Sequence, residues 1–171
     1  MTKIIILRGN SASGKSTIAK ELKNKLEKRV LVLEQDILRL EMISLPSSET
    51  HNIQIQEYVK SMILHLLKWA KNKFDVIIFD GQYSNNRYPD MFEKIKSEFS
   101  EIYAYYFDLP FEENARRHLT REKSKLFTVE EMRAWRKENN TLEMIKEKII
   151  TKEMSKEQIT DMILNDIGFK I

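Results

Sequence analysis

The run Gly9-Asn10-Ser11-Ala12-Ser13-Gly14-Lys15-Ser16-Thr17 sets two glycines, a lysine and a hydroxyl in the spacing Gly-x-x-x-x-Gly-Lys-Ser. Backbone N–H groups of such a loop, together with the start of the helix that follows it, converge on polyphosphate oxygens. Lys15 would span the terminal phosphates. Ser16 would ligate Mg²⁺, a hard cation that prefers oxygen donors and is shared with the nucleotide. The chemistry implied is binding of ATP or GTP with Mg²⁺ through residues Gly9 to Thr17. The bland alternative, a chance Gly-rich turn, is disfavoured only if a strand precedes the loop and a helix follows it.

Four further groups of residues could act with that loop. Asp36 ends a second apolar run, and Arg39 follows three residues later on the same helical face. A carboxylate there can orient an attacking hydroxyl and take its proton, while Arg39 holds an anionic group on the acceptor or steadies the carboxylate. Helix capping by Asp36 beside a solvated Arg39 is the competing reading. Asp80 closes a third apolar run, from which a carboxylate reaches Mg²⁺ or its waters; a turn-forming Asp is the alternative. Tyr83 and Arg87, in the polar turn that follows, are expected to touch the acceptor. Arg117 and Arg121 lie four apart on one helix face. One guanidinium can offset the charge that spreads over a transferring phosphoryl group, the role expected of Arg121, and Arg117 can stack on a nucleotide base.

Strands must deliver these residues to one edge. Lys3 to Arg8 reads as a strand covered on both faces, because its apolar run is continuous and not alternating. Ser16 to Glu27 reads as a helix, with Ile18, Ala19, Leu22 and Leu26 on one stripe. Further strands are predicted at Arg29 to Glu34, Asp75 to Asp80, Ile102 to Phe107 and, briefly, Ile149 to Thr151. Between them the periodicity predicts a helix beginning at Asp36 and, after a break at Pro46 to Glu49, a long one from about Thr50 to Asn72. The latter has Ile55, Val59, Met62, Ile63, Leu66 and Trp69 on one stripe. Later helices run to Phe99, from Phe111, from Val129 to Asn139, and from Ser155, where Ser-x-x-Gln is a capping signal. The charged stretch from Arg121 to Thr128 reads as the near side of a lid that spans about 121–140. Trp135, Arg133 and Arg136 are expected on its far side. Strands alternating with helices argue for a parallel α/β sheet whose ligands gather at the strand carboxyl ends.

The bulk composition narrows the classes. The 171 residues fit one domain, 42% hydrophobic and 32% charged, with no cysteine for a disulfide or thiolate site, which fits the cytoplasm. No apolar run is long enough to cross a membrane. The net charge of +3 comes from lysines mixed with glutamates, a weak signal for nucleic acid. His51, His65 and His118 show no metal-ligand spacing and read as partly buried structural residues, and Trp69 reads as core.

Gly9 to Thr17, Asp36-x-x-Arg39, Asp80-Gly81 and Arg117-x-x-x-Arg121 together resemble the small P-loop kinases of the adenylate, shikimate and gluconate kinase type. That group includes chloramphenicol phosphotransferase, polynucleotide kinase and zeta-toxin-like kinases. The resemblance covers most of the chain. It implies a three-layer P-loop NTPase fold with a five-stranded parallel sheet in the order 2-3-1-4-5, the fifth strand near Ile149, and a helical lid. It further implies that Asp36 activates an acceptor hydroxyl and that Arg117 and Arg121 contact base and phosphates. The chain departs from adenylate kinase in lacking a recognisable nucleotide-monophosphate pocket. The expected activity is transfer of the γ-phosphoryl group of ATP to a small-molecule hydroxyl. A 5′-hydroxyl polynucleotide kinase and a zeta-toxin-like or regulatory ATP-binding protein are the alternatives.

Overall fold

The computed structural model describes residues 1–43 and 53–169. The expected break at Pro46, the first turn of the long helix from Thr50, and His51 lie outside the described residues. Five strands form one all-parallel sheet: β1 (Lys3–Gly9), β2 (Val30–Glu34), β3 (Val76–Gly81), β4 (Ile102–Phe107) and β5 (Glu147–Ile150), in the order β2-β3-β1-β4-β5. This is the order that the resemblance implies. β5 begins two residues earlier than its periodicity suggests, because Glu147 at its start is drawn inward by Arg8.

The strand β1 shows why a continuous apolar run signals two covered faces. Ile4 and Ile6 pack on one side, against α2 (Ile53–Ala70) and α3 (Pro89–Glu98). Ile5 and Leu7 pack on the other, against α1 (Lys15–Lys25) and α6 (Lys156–Asp166). Ser155 caps α6 through the box that its sequence announces, accepting from Gln158 N while the Gln158 side chain accepts from Ser155 N.

The inward stripe of α2 is Ile55, Val59, Ile63, Leu67 and Ala70, not the stripe that ends at Trp69. At 3.6 residues per turn the last inward slot falls to Ala70. Trp69 is therefore on the flank, half exposed, against Phe74 and under Lys73. His65 is exposed on the same helix, where its Nδ1 meets Ser61 O. No helix among the described residues is long and apolar enough to cross a membrane.

Between α4 (Phe111–Leu119) and β5 the chain forms a 3₁₀ turn at Glu122–Lys125 and then α5 (Val129–Trp135), capped by Thr128 with Glu131. The helix stops at Trp135, short of the expected Asn139. The Lys137 amide leaves the helical ladder to donate to Asn10 Oδ1 at 2.9 Å, and Asn10 Nδ2 donates back to Lys137 O.

Arg8 has no solvent exposure although it ends an otherwise apolar run. Period two places it on the face of Ile4 and Ile6. It is tolerated there because its donors are met: Nε and Nη2 donate to Tyr83 O, Nη2 to Asn140 O at 2.8 Å, and Nη1 to the buried Glu147 at 2.7 Å. Its plane is also flanked by Phe92 and Tyr106. Removing one member of such a pair strands the other charge. Arg8→Met should therefore lower the unfolding free energy by about 3–5 kcal/mol, and Arg8→Met/Glu147→Gln should recover part of that loss. Urea unfolding of the two single variants and the double variant measures this; strictly additive losses would show that the pair is not coupled.

Candidate active site

The carboxyl ends of β1, β2 and β3 are level: Glu34 pairs in register with Asp80, and Asp80 with Leu7. The chain leaves β1 into the phosphate loop, β2 into Gln35 and Asp36, and β3 into Gly81 and Gln82. A cleft of about 740 Å³ opens at this edge. Ser11 to Thr17, Asp36, Arg39, Asp80, Arg117, Arg121 and Trp135 all line it. Gly9 and Asn10 lie beneath the loop, with the Asn10 side chain turned to Lys137.

Gly14 precedes α1 with φ 101°, a left-handed backbone that favours glycine, and α1 has no acidic residue in its first turn and no side-chain cap. Its leading N–H groups therefore face the cleft without a competing anion. Lys15 is buried along the loop, its Nζ donating to Asn10 O at 2.9 Å and to Ser13 Oγ at 3.1 Å. Arg117 lies over the loop: Nη1 donates to Ser13 O, and Nε to Glu113 at 2.6 Å.

Ser16 Oγ donates to Asp80 Oδ2 at 2.6 Å. Asp80 is 2% exposed, and burial pushes its carboxyl up to about 6; the Lys15 charge and the Ser16 hydrogen bond oppose the shift, while Glu34 and Asp36 add to it. A hydroxyl and a carboxylate in contact form an oxygen-donor pair that suits Mg²⁺, with the remaining positions left to nucleotide oxygens and water. No cluster of three or more His, Cys, Asp or Glu able to hold a metal occurs among the described residues.

Asp36 has helical backbone angles and its side chain makes no capping bond, so the capping alternative does not hold. The short π-helix that follows, Ile37–Glu41, returns Arg39 to Asp36 with Nη2 at 3.8 Å from Oδ1. Arg39 Nε is buried without a protein partner among the described residues. Arg121 lines the same cleft. Burial draws the pKa of its guanidinium down, and the Asp36 charge opposes that shift. Arg121 Nη2 donates to His118 Nδ1, and His118 Nε2 in turn donates to Phe127 O, which together fix the neutral ring with its proton on Nε2.

Two expected acceptor contacts are not brought here. Tyr83 is 1% exposed, its ring stacked on Phe79 at 4.5 Å and edge-on to Tyr88 and Phe92, so it belongs to the core and does not line the cleft. A Cβ on Gly81 would stand 2.3 Å from that ring, which is why the position is glycine. Arg87 is drawn to Gln56 on α2, away from the cleft. Conversely, Gln35 and Gln82 line the cleft unannounced: Gln82 N donates to Gln35 Oε1 at 2.8 Å, and Gln82 Nε2 reaches Asn10 Oδ1 and Trp135 O. Uncharged amides one residue before Asp36 and one after Gly81 carry no sequence signal beyond that placement.

A family profile described as AAA domain matches residues 5–146. The chain belongs to this AAA domain family. None of the curated proteins matches the sequence. Among solved structures, a sugar kinase from Janibacter sp. HTCC2649 superposes with a TM-score of 0.71 at 16% identity, over 99% of this chain and 96% of that one. The Mycobacterium tuberculosis APS kinase, in complex with AMPPNP and APS, gives a TM-score of 0.71 at 14% identity over 98% of each chain. A chain of the Pnkp1/Rnl/Hen1 RNA repair complex is 26% identical over 77% of this chain and 42% of its own, with a TM-score of 0.56. The fold is that of the small P-loop kinases.

The Asp80 environment has a measurable consequence. A carboxyl whose folded pKa is raised binds more protons in the folded than in the unfolded state, so without ligands stability falls as pH rises from about 4 through about 6. Asp80→Asn removes this cost. Thermal unfolding should show the variant more stable than the parent at pH 7.5, by on the order of 2 kcal/mol, with the difference shrinking at pH 5. A difference independent of pH would contradict it.

Proposed function

We propose that the chain is an ATP-dependent kinase, with GTP as an alternative donor, that transfers the γ-phosphoryl group to a hydroxyl of a small molecule. Residues 1–171 act as one unit with a lid over about 121–140. The observation that carries this reading is that Asp36, the phosphate loop and Arg121, from the lid side, line one cleft. A carboxylate that can take a hydroxyl proton and a guanidinium that can offset charge on the moving phosphoryl group are the groups that transfer to a hydroxyl uses. The fold likeness to sugar and APS kinases supports the same reading.

In this proposal the loop amides and Lys15 hold the polyphosphate, and Arg117 the base end of the nucleotide. Ser16 and Asp80 hold Mg²⁺, which when bound neutralises polyphosphate charge. Asp36 orients the acceptor hydroxyl and receives its proton as the oxygen bonds to phosphorus. Arg121 stabilises the equatorial oxygens of the transferring group, and Arg39 holds Asp36 or an acceptor oxygen. Burial of Lys15 and Asp80 keeps those two charges effective by lowering the local dielectric.

A second reading, a 5′-hydroxyl polynucleotide kinase, draws support from the likeness to the RNA repair chain. It would require a basic track leading to Asp36 and strong salt dependence.

Asp36→Asn should lower phosphoryl transfer by about 10²–10⁴-fold while nucleotide affinity stays within about threefold, a change too small to count as the loss of a charged contact. Lys15→Ala should weaken nucleotide binding itself. Transfer of label from [γ-³²P]ATP to a metabolite extract, with calorimetric titration of the nucleotide, separates the two. Loss of nucleotide affinity in Asp36→Asn would assign that residue to the donor site instead.

A further inference from the structure

Charge in the cleft is already spoken for. Five cationic side chains line it, and each has an assigned place. Lys15 and Arg117 bond the loop carbonyls, and Lys156 pairs with Glu21 at 3.1 Å. Arg121 bonds His118 Nδ1 at 3.1 Å, and Arg39 approaches Asp36 at 3.8 Å. On the β2 side, with Arg39, are two carboxylates, Glu34 and Asp36, and the neutral amide of Gln35; that of Gln82 follows β3. The stretch 44–52, outside the described residues, has no Lys or Arg in its sequence. Once a nucleotide occupies Lys15, Arg117 and Arg121, Arg39 is the one guanidinium among the described lining residues on the β2 side, set against the two carboxylates Glu34 and Asp36.

The rim of the same half is apolar. Leu40 lines the cleft at 41% exposure and Leu126 at 69%, while Ile37 and Met42, on or beside the π-helix that carries Leu40, are also exposed. Leu40 and Leu126, left in water at the edge of a polar cleft with Ile37 and Met42 exposed near Leu40 in the chain, mark a contact surface more than they mark chance. The buried Arg39 Nε, without a protein partner among the described residues, is a donor in want of one oxygen, and a neutral oxygen suffices.

We propose, resting on the kinase reading above, that the acceptor is a hydroxyl compound with no phosphate or carboxylate of its own, whose apolar body packs on Leu40 and Leu126. Its hydroxyl oxygen bonds to the γ-phosphorus, and the bond from that phosphorus to the β–γ bridging oxygen breaks. The bonding electron pair leaves with the nucleoside diphosphate, and the hydroxyl proton passes to Asp36. A phosphate or carboxylate on the acceptor would be brought beside Glu34 and Asp36, where the single guanidinium of Arg39 already stands against two negative charges, which disfavours it.

The test uses the full chain with Mg²⁺ and [γ-³²P]ATP on a metabolite extract divided by anion exchange at neutral pH, with Asp36→Asn as the blank. An alkyl glycoside and a 5′-hydroxyl oligonucleotide serve as defined probes. The expected result is label in products from the unretained, non-anionic fraction, at least about tenfold above the retained one. Leu40→Ser and Leu126→Ser should raise KM for that product's precursor several-fold with kcat nearly unchanged. Label arising mainly from the retained fraction or the oligonucleotide would overturn the inference and leave the kinase reading standing. ATP hydrolysed with no fraction labelled, at a rate that Asp36→Asn does not alter, would overturn both.

Discussion

A guanidinium shut off from water must find protein acceptors for its N–H groups, and at Arg8 that requirement organises the catalytic edge. Arg8 is the residue immediately before the phosphate loop. Its partners are Tyr83 after β3, Asn140 after α5 and Glu147 at the head of β5. One side chain thus ties the start of the loop, the turn after β3 and the segment that returns from α5 to β5 to a single point. Asn10 repeats the tie one step further along by its mutual bonds with Lys137. Glu147 is held in turn by the Leu142 amide, so neither end of the buried pair is loose. Such a pair adds little net stability over apolar residues of equal size, but it fixes which strands and loops meet.

From that fixed point the parallel register does the rest. With Glu34, Asp80 and Leu7 level, the residues that leave the three strands emerge side by side, and carboxylates meet cations over a short span. The balance is local. Asp80 is buried deeply enough to lose its ordinary acidity, yet Lys15 and Ser16 hold it in place, and Asp36 stands between Arg39 and Arg121. In the proposed reading a cleft arranged in this way meets the charge brought by a nucleotide and a metal, and its exposed Leu40 and Leu126 meet the acceptor.

Much of this was legible in the sequence, for physical reasons that also mark the limits. The loop motif is local, and continuous apolar runs report two covered faces, so the strands and the loop-to-helix transition could be read directly. The sheet order came from the resemblance, because crossovers leave no trace in periodicity. Asp36, Asp80, Arg117 and Arg121 share the cleft because each sits one or two positions from an element end. Periodicity gives a face but not a partner, however. Nothing near Tyr83 shows that its ring folds back over Gly81, nothing near Arg87 points to Gln56, and Trp69 loses the inward slot of α2 to Ala70. Arg8 could be suspected from its place on the face of Ile4 and Ile6, but Glu147, its counter-charge, lies 139 residues away.

The central claim is that the chain moves a phosphoryl group to a hydroxyl and not to water. ³¹P NMR of the full chain with MgATP and a metabolite extract tests it most directly, since phosphomonoesters and orthophosphate give separate resonances. The account predicts a phosphomonoester signal that grows in step with ADP. Orthophosphate alone, formed at the same rate with or without the extract, would contradict it.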